Sequence, residues 1–281
     1  MNLQECLDKG NSTVFFSATL LPIDYYKSLL SRAEDDYAIY ASSCFDQSKK
    51  QVLIGQDTSS KYTNRSLQEY QRIAAYIRKA VMGRQGNYLV FFSSYKMMED
   101  VAECFEAIKP EQVEVLCQTS HMTEVQREEF LEAFEEGRED SLIGFCVMGS
   151  IFGEGIDLKR DRLIGAIIVG TGLPQVCNER EILKNYYDKL KGDGFRYAYL
   201  CPGMNKVLQA AGRVIRTEED RGIILLLDQR FTRYQYRQMF PREWSDYQLC
   251  VLNTVEERLL HFWEGQEETQ GLTVQNESLM I

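Results

Sequence analysis

Gln209, Arg213 and Arg216 fall in one short run, QAAGRVIR at 209–216, separated by four and three residues. On a helix those spacings put all three side chains on one face. The two alanines and Gly212 let that face approach another surface closely. Two guanidiniums so placed can grip a polyphosphate and neutralise charge that develops during γ-phosphoryl transfer, the role of an arginine finger. The competing reading is a surface helix whose Arg213 and Arg216 are solvated or paired with Glu218 and Glu219.

Three further loops carry residues of interest. GSIFGEGID at 149–157 has glycines at 149, 153 and 155, which permit positive φ and close backbone approach to a ligand. Its Glu154 and Asp157 offer carboxylates to a ribose, a nucleic-acid-bound loop or an arginine, although a tight turn uses the same residue types. VFFSATL at 14–20 and LVFFSSY at 89–95 are apolar runs that end in hydroxyls. Ser93 and Ser94 at a helix start form a small phosphate-binding corner, with Tyr95 available to stack; simple capping of the helix explains the same serines.

These loops need elements to hold them. Apolar runs at 88–92, 113–117, 142–148, 163–169 and 222–227 read as strands, and 14–18 as another buried strand ending in small polar residues. Amphipathic stretches at 66–82, 96–108, 123–136, 179–190, 205–215 and 248–263 read as helices, with Thr123 as an N-cap and Pro22 suited to the first turn of a helix over 22–32. The stretch 37–55 is less regular, with strand-like pieces AIYAS and VLIG. Near-continuous apolar strands alternating with helices indicate an α/β fold, a mostly parallel sheet with helices on both faces. Chemistry in such sheets collects in loops at the carboxyl ends of the strands.

Composition narrows the classes. At 281 residues and 44% hydrophobic content the chain can bury a sizeable core, and no apolar run approaches a membrane span. The first twelve residues are polar and lack a secretory h-region, so a cytoplasmic location is expected. The eight cysteines include no C-x-x-C pair and the two histidines, His121 and His261, fit no metal or catalytic pattern, so no metal ligands are expected. A net charge of −10 argues against a broad basic surface for nucleic acid. It leaves room for local phosphate contacts through amides and hydroxyls, with a partner domain supplying the basic wall of a channel. Much of the acidity lies at 124–140 and beyond 264, where solvated faces are expected.

In this order and separation, SATL, FFSSY, GEGID and QAAGRVIR resemble motifs III, IV, V and VI of superfamily 2 helicases. FGEGIDL at 152–158 and GRVIRTEEDRG at 212–222 look specifically like the DinG/XPD branch, as does the D-x-R-F of Asp228, Arg230 and Phe231. The resemblance runs from about Val14 to Phe231. It implies the second RecA-like (P-loop NTPase-like) domain of an ATP-dependent DNA helicase. On that resemblance Arg213 and Arg216 match the arginines that reach ATP across the cleft between two RecA-like domains, with Gln209 beside them. Gly155 and Asp157, with Glu154, match the loop that couples nucleotide state to DNA. Ser93, Ser94 and Tyr95 match the motif beside the DNA backbone. Ser17 and Thr19 match the motif that links hydrolysis to strand movement.

The same resemblance implies ATP and Mg²⁺ as cofactors of a longer enzyme, single-stranded or forked DNA as substrate, and the N-terminal helicase domain of the same protein as partner. These 281 residues contain neither G-x-x-x-x-G-K-[ST] nor D-E-x-H, and the iron–sulfur cysteines found in many family members would also lie in the absent half. The expected division is the end of the first helicase domain at 1–21, the second RecA-like domain at 22–265 and a flexible tail at 266–281. A helical insertion at about 173–202 carries Arg180, Lys184, Tyr186, Tyr187, Lys189 and Lys191. It reads either as a single-strand path or as a solvated amphipathic helix. The chain alone is expected neither to hydrolyse ATP nor to unwind DNA. The alternatives are a non-catalytic helicase-like module that clamps nucleic acid or acts as an interaction scaffold, and a different nucleotide-binding α/β enzyme. The lack of a phosphate-binding glycine loop after the first strand counts against the last.

Overall fold

NYLVFF at Asn87–Phe92 and GIILLL at Gly222–Leu227 are buried at all six positions. Strands buried on both faces belong to a sheet covered on both sides. The computed structural model describes residues 3–31, 36–150, 152 and 158–265. In chain order the elements are α1 (Leu3–Leu7), α2 (Ile23–Leu30), β1 (Lys50–Gly55), α3 (Leu67–Gly83), β2 (Asn87–Phe92), α4 (Tyr95–Glu106), β3 (Val113–Cys117), α5 (Glu124–Glu132), β4 (Ser141–Val147), β5 (Gly165–Val169), α6 (Asn178–Lys191), α7 (Cys201–Ala211), β6 (Gly222–Leu227), α8 (Tyr234–Arg237), β7 (Gln248–Cys250) and α9 (Val255–Glu264).

Among the described residues the seven strands form one parallel sheet in the order β3-β4-β2-β5-β6-β1-β7. Side chains alternate across a strand, and β2 divides accordingly: Leu89 and Phe91 enter one core, Tyr88, Val90 and Phe92 the other. The second core is closed by α3, α4 and α9 through residues such as Ile77, Phe105 and Trp263. The first is closed by α2, α5, α6 and α7 through Tyr25, Phe130, Tyr187 and Met204. The sheet thus lies between two layers of helices, as the alternating pattern predicts.

Local chemistry explains several boundaries. Thr123 accepts from the Gln126 amide while the Gln126 side chain accepts from the Thr123 amide, a reciprocal capping box that starts α5. Ser66 and Ser94 cap α3 and α4 in the same sense, by accepting from the amides of Glu69 and Met97.

Four expectations are corrected. Residues 14–18 form no strand: Val14 and Phe16 are 80% and 90% exposed, and the segment pairs with none of the seven strands. AIYAS at 38–42 is not a strand either, and only VLIG joins the sheet, as part of β1. The segment 248–263 is not one helix. Its first residues form β7, drawn into parallel pairing with β1, and the helix begins at Val255. The helix expected over 205–215 begins at Cys201, with Pro202 in its first turn, and ends at Ala211, so Arg213 and Arg216 lie beyond it.

Candidate functional site

The loops after β2 and β4 lie at the carboxyl ends of their strands, whereas the arginine loop runs from the end of α7 into the start of β6, at the amino edge of the parallel sheet. Beyond Ala211 the chain tightens, with the Arg213 amide donating to the Ala210 carbonyl at 3.3 Å and the Val214 amide to Ala211 at 3.3 Å. Gln209 stays on α7, half-buried, while Arg213 is half-buried and Arg216 exposed in the loop that follows. The three therefore share one continuous segment and not one helical face. Val214 anchors that segment: it is 1% exposed and packs on Gly222, where a Cβ would lie 2.3 Å from its Cγ1.

Asp220 fixes the far end of the arginine loop. Its buried carboxylate accepts from the amides of Arg216 (2.6 Å) and Thr217 (2.7 Å) through one oxygen. The other oxygen accepts from the Thr217 hydroxyl (2.8 Å) and the Arg160 amide (2.8 Å). Arg160 is the one described non-glycine residue with positive φ, at 55°. One carboxylate thus joins the arginine loop to the segment entering β5. The sequence contained Asp220 inside GRVIRTEEDRG, but its reach to a residue 60 positions earlier had no local signature.

Gly149 has the expected positive φ of 73°. Gly153, Glu154, Gly155 and Asp157 lie outside the described residues. Ser94 is a helix cap, and Ser93 Oγ lies 3.6 Å from Met97 Sδ. Tyr95 Oη accepts from Gln118 Nε2 at 3.0 Å. Gln118 Oε1 in turn accepts from the Val147 amide (2.9 Å) and Ser150 Oγ (3.0 Å). Gln118, which sequence reasoning passed over, is 4% exposed and ties the loop after β2 to the loop after β4. Ser17 and Thr19 do not join this group through any contact described: the Ser17 hydroxyl accepts from the Thr19 amide at 3.2 Å in a local turn.

The D-x-R-F segment builds a buried ion pair. Asp228 is fully buried and accepts from Arg230 Nε (2.9 Å) and Nη2 (2.8 Å), the Arg230 amide (2.9 Å), and the amide (2.8 Å) and hydroxyl (2.7 Å) of Ser60. Burial alone would raise its pKa, but the bidentate Arg230 and the Ser60 amide outweigh it and hold the carboxyl below the usual range. The Ser60 loop after β1 is thereby locked to the loop after β6. On α6, Tyr187 turns inward and stacks on Tyr197 at 4.3 Å, Lys184 pairs with Asp188 at 3.5 Å, and Tyr186 is exposed.

Among the described residues the buried carboxylates do not fit a Mg²⁺ site. The carboxylates of Asp220 and Asp228 are saturated by amides, hydroxyls and Arg230. Among the described residues no group of three or more His, Cys, Asp or Glu side chains gathers to hold a metal. Nor is any described helix long and apolar enough to cross a membrane.

The sequence pattern of the helicase C-terminal domain matches residues 77–247, a stretch that includes β2 to β6, the arginine loop and the Asp228 pair. The chain belongs to the helicase C-terminal domain family. Among curated relatives of this helicase domain, the ATP-dependent DNA helicase YoaA of Escherichia coli is 27% identical over 237 residues, covering 83% of the chain and 35% of the relative. The ATP-dependent DNA helicase XPD of Sulfolobus acidocaldarius is 28% identical over 216 residues, covering 75% and 35%. The 3'-5' exonuclease DinG of Staphylococcus aureus is 26% identical over 249 residues, covering 87% and 26%. The chain spans about a third of the length of the first two and a quarter of the last. A solved XPD helicase superposes with a TM-score of 0.60 at 23% identity, over 72% of this chain and 35% of its own. The Xpd4 structure of S. tokodaii gives 0.57 at 16%, over 79% and 42%. At those identities the likeness speaks for the fold: the helicase domain has the RecA-like sheet of these proteins.

Proposed function

We propose that this chain is the second motor domain of an ATP-dependent DNA helicase, in which Arg213 and Arg216 reach the γ-phosphate of an ATP held by a first domain. The observation that carries this reading is the arginine loop. Two arginines leave the end of α7 on a segment clamped at one side by Val214 on Gly222 and at the other by the Asp220 carboxylate. A guanidinium on a braced loop can neutralise charge in the transition state with little reorganisation. Mg²⁺ would be held by residues outside these 281. Gln209 flanks the arginines. Glu154, Gly155 and Asp157 would couple nucleotide state to DNA, Ser17 and Thr19 would link hydrolysis to strand movement, and Ser93, Ser94 and Tyr95 would face the DNA backbone. In this reading residues 1–21 close the first domain, 22–265 form the second with an insertion at about 173–202, and 266–281 form a tail. A single-stranded or forked DNA substrate and a cytoplasmic location go with it.

In the complete helicase, Arg213→Ala should lower DNA-dependent ATP turnover by about a thousandfold while single-strand affinity stays within about twofold, as read by coupled ATPase assay and fluorescence anisotropy. Near-normal turnover would reject the assigned role. The 281-residue chain by itself should show no DNA-stimulated ATPase; substantial turnover from the purified chain would sink the division of labour. A second reading, a non-catalytic clamp or scaffold, draws on the absence of a phosphate-cradling G-x-x-x-x-G-K-[ST] from these residues. It predicts no turnover in any complete form of the protein.

A further inference from the structure

One turn before Gln209, α7 carries Lys206, and its side chain lies across Gly149 at the end of β4. A Cβ built at 149 would come within 2.9 Å of Lys206 Cε and 3.3 Å of Nζ, so the absence of a side chain there makes room for the ammonium. Lys206 is half-buried, and desolvation is the larger cause that pushes its pKa down. Arg180, a second cation on α6, pushes in the same direction, and no acid figures among the charges acting on Lys206. Arg180 donates to the Ala198 carbonyl at 3.1 Å, and among the described residues neither cation has a carboxylate partner. A partly desolvated cation with no counter-charge weakens a fold unless an anion joins it.

The position of Lys206 favours one kind of anion. Lys206 stands over Gly149, in the loop that Gln118 ties to Tyr95 through Ser150. The arginine loop is braced through a different carboxylate, Asp220, against Arg160. Lys206 therefore belongs with the loop after β4, away from the arginine loop that enters β6. We infer that Lys206 seats one phosphate of a single-stranded DNA backbone over Gly149. The inference rests on the helicase reading for its ligand and goes beyond it in assigning the seat. The chemistry recognised is a phosphate oxyanion, which a polyphosphate tail also presents, so the test separates the two.

The experiment uses the 281-residue chain at low salt with a fluorescent oligothymidylate, tripolyphosphate as the alternative anion, and the variants Lys206→Met and Lys206→Arg. Lys206→Met should weaken oligothymidylate binding about fivefold and flatten the salt slope by about 0.7, one single-strand phosphate. Lys206→Arg should stay within about twofold. Lys206→Met should also keep or raise the melting temperature, because it removes a desolvated charge; a purely structural lysine would lower it. Unchanged affinity and slope in Lys206→Met, or no oligothymidylate binding by the wild-type chain, overturns the seat. A loss confined to tripolyphosphate overturns the DNA assignment. Failure of the arginine-finger reading is seen separately, as retained ATPase in Arg213→Ala, and leaves the Lys206 result standing.

Discussion

Two buried aspartates do different work at opposite edges of the sheet, Asp220 before β6 and Asp228 after it. Asp228 neutralises a guanidinium, whereas Asp220 collects backbone amides and one hydroxyl from two loops. Asp228→Asn leaves Arg230 buried with its partner charge removed, which typically costs about 3 kcal/mol. The sign with pH follows from the depressed pKa of Asp228. Its stabilisation is complete above the unfolded carboxyl pKa, near 4, and is lost as pH falls through the lower folded value. Urea titrations of wild type and Asp228→Asn should therefore differ most near pH 7 and converge below about pH 4; a gap independent of pH would contradict the ion pair. Asp228 was marked in the sequence only through the D-x-R-F resemblance, and its ion pair with Arg230 came from the structure. Asp220, Gln118 and Lys206 were not marked, since each acts on residues distant in sequence.

Elements read well wherever the hydrophobic period was long and the partner lay inside the chain. The stripe of α3, the Thr123 cap and the core strands β2 to β6 follow from residue types alone. Errors came where tertiary pairing decides. β7 is three residues long with only Cys250 buried, so on its own it carries no strand signal; β1 makes it one. The segment 14–18 has the composition of a core strand but pairs with no strand of the sheet and stays largely exposed. At the end of α7, Gly212 and the Val214 anchor stop a helix that the Q-x-x-x-R-x-x-R spacing would extend. That junction is sensitive to volume. Gly222→Ala would set a methyl 2.6 Å from the Ile164 carbonyl oxygen and 2.3 Å from Val214 Cγ1. We expect it to destabilise the domain by about 2 kcal/mol in thermal unfolding. In the complete helicase it should lower kcat for ATP by displacing the arginine loop. Wild-type stability and turnover together would show that the junction is soft.

For the molecule as a whole, the sequence's net charge of −10 argued against a uniformly basic face and pointed to local contacts. The alternation of strands and helices made the parallel sheet legible, but the strand order was not written in any local pattern. That order has a consequence for how the polypeptide comes together as it is synthesised. The four strands β3-β4-β2-β5 come from one uninterrupted stretch, 87–169, and can pair as soon as it leaves the ribosome. β1 precedes them all yet sits between β6 and β7, so KQVLIG waits, unpaired and apolar, until Leu227 has emerged. Closure of so long a loop is slow relative to local pairing. Pulse-labelled hydrogen exchange during refolding should find the amides of β2, β4 and β5 protected before those of β1 and β6. Simultaneous protection would mean that the sheet assembles in a single step. For the time in between, β1 is a sticky strand in a crowded cell, and the most direct target in this chain for a chaperone that holds extended apolar segments.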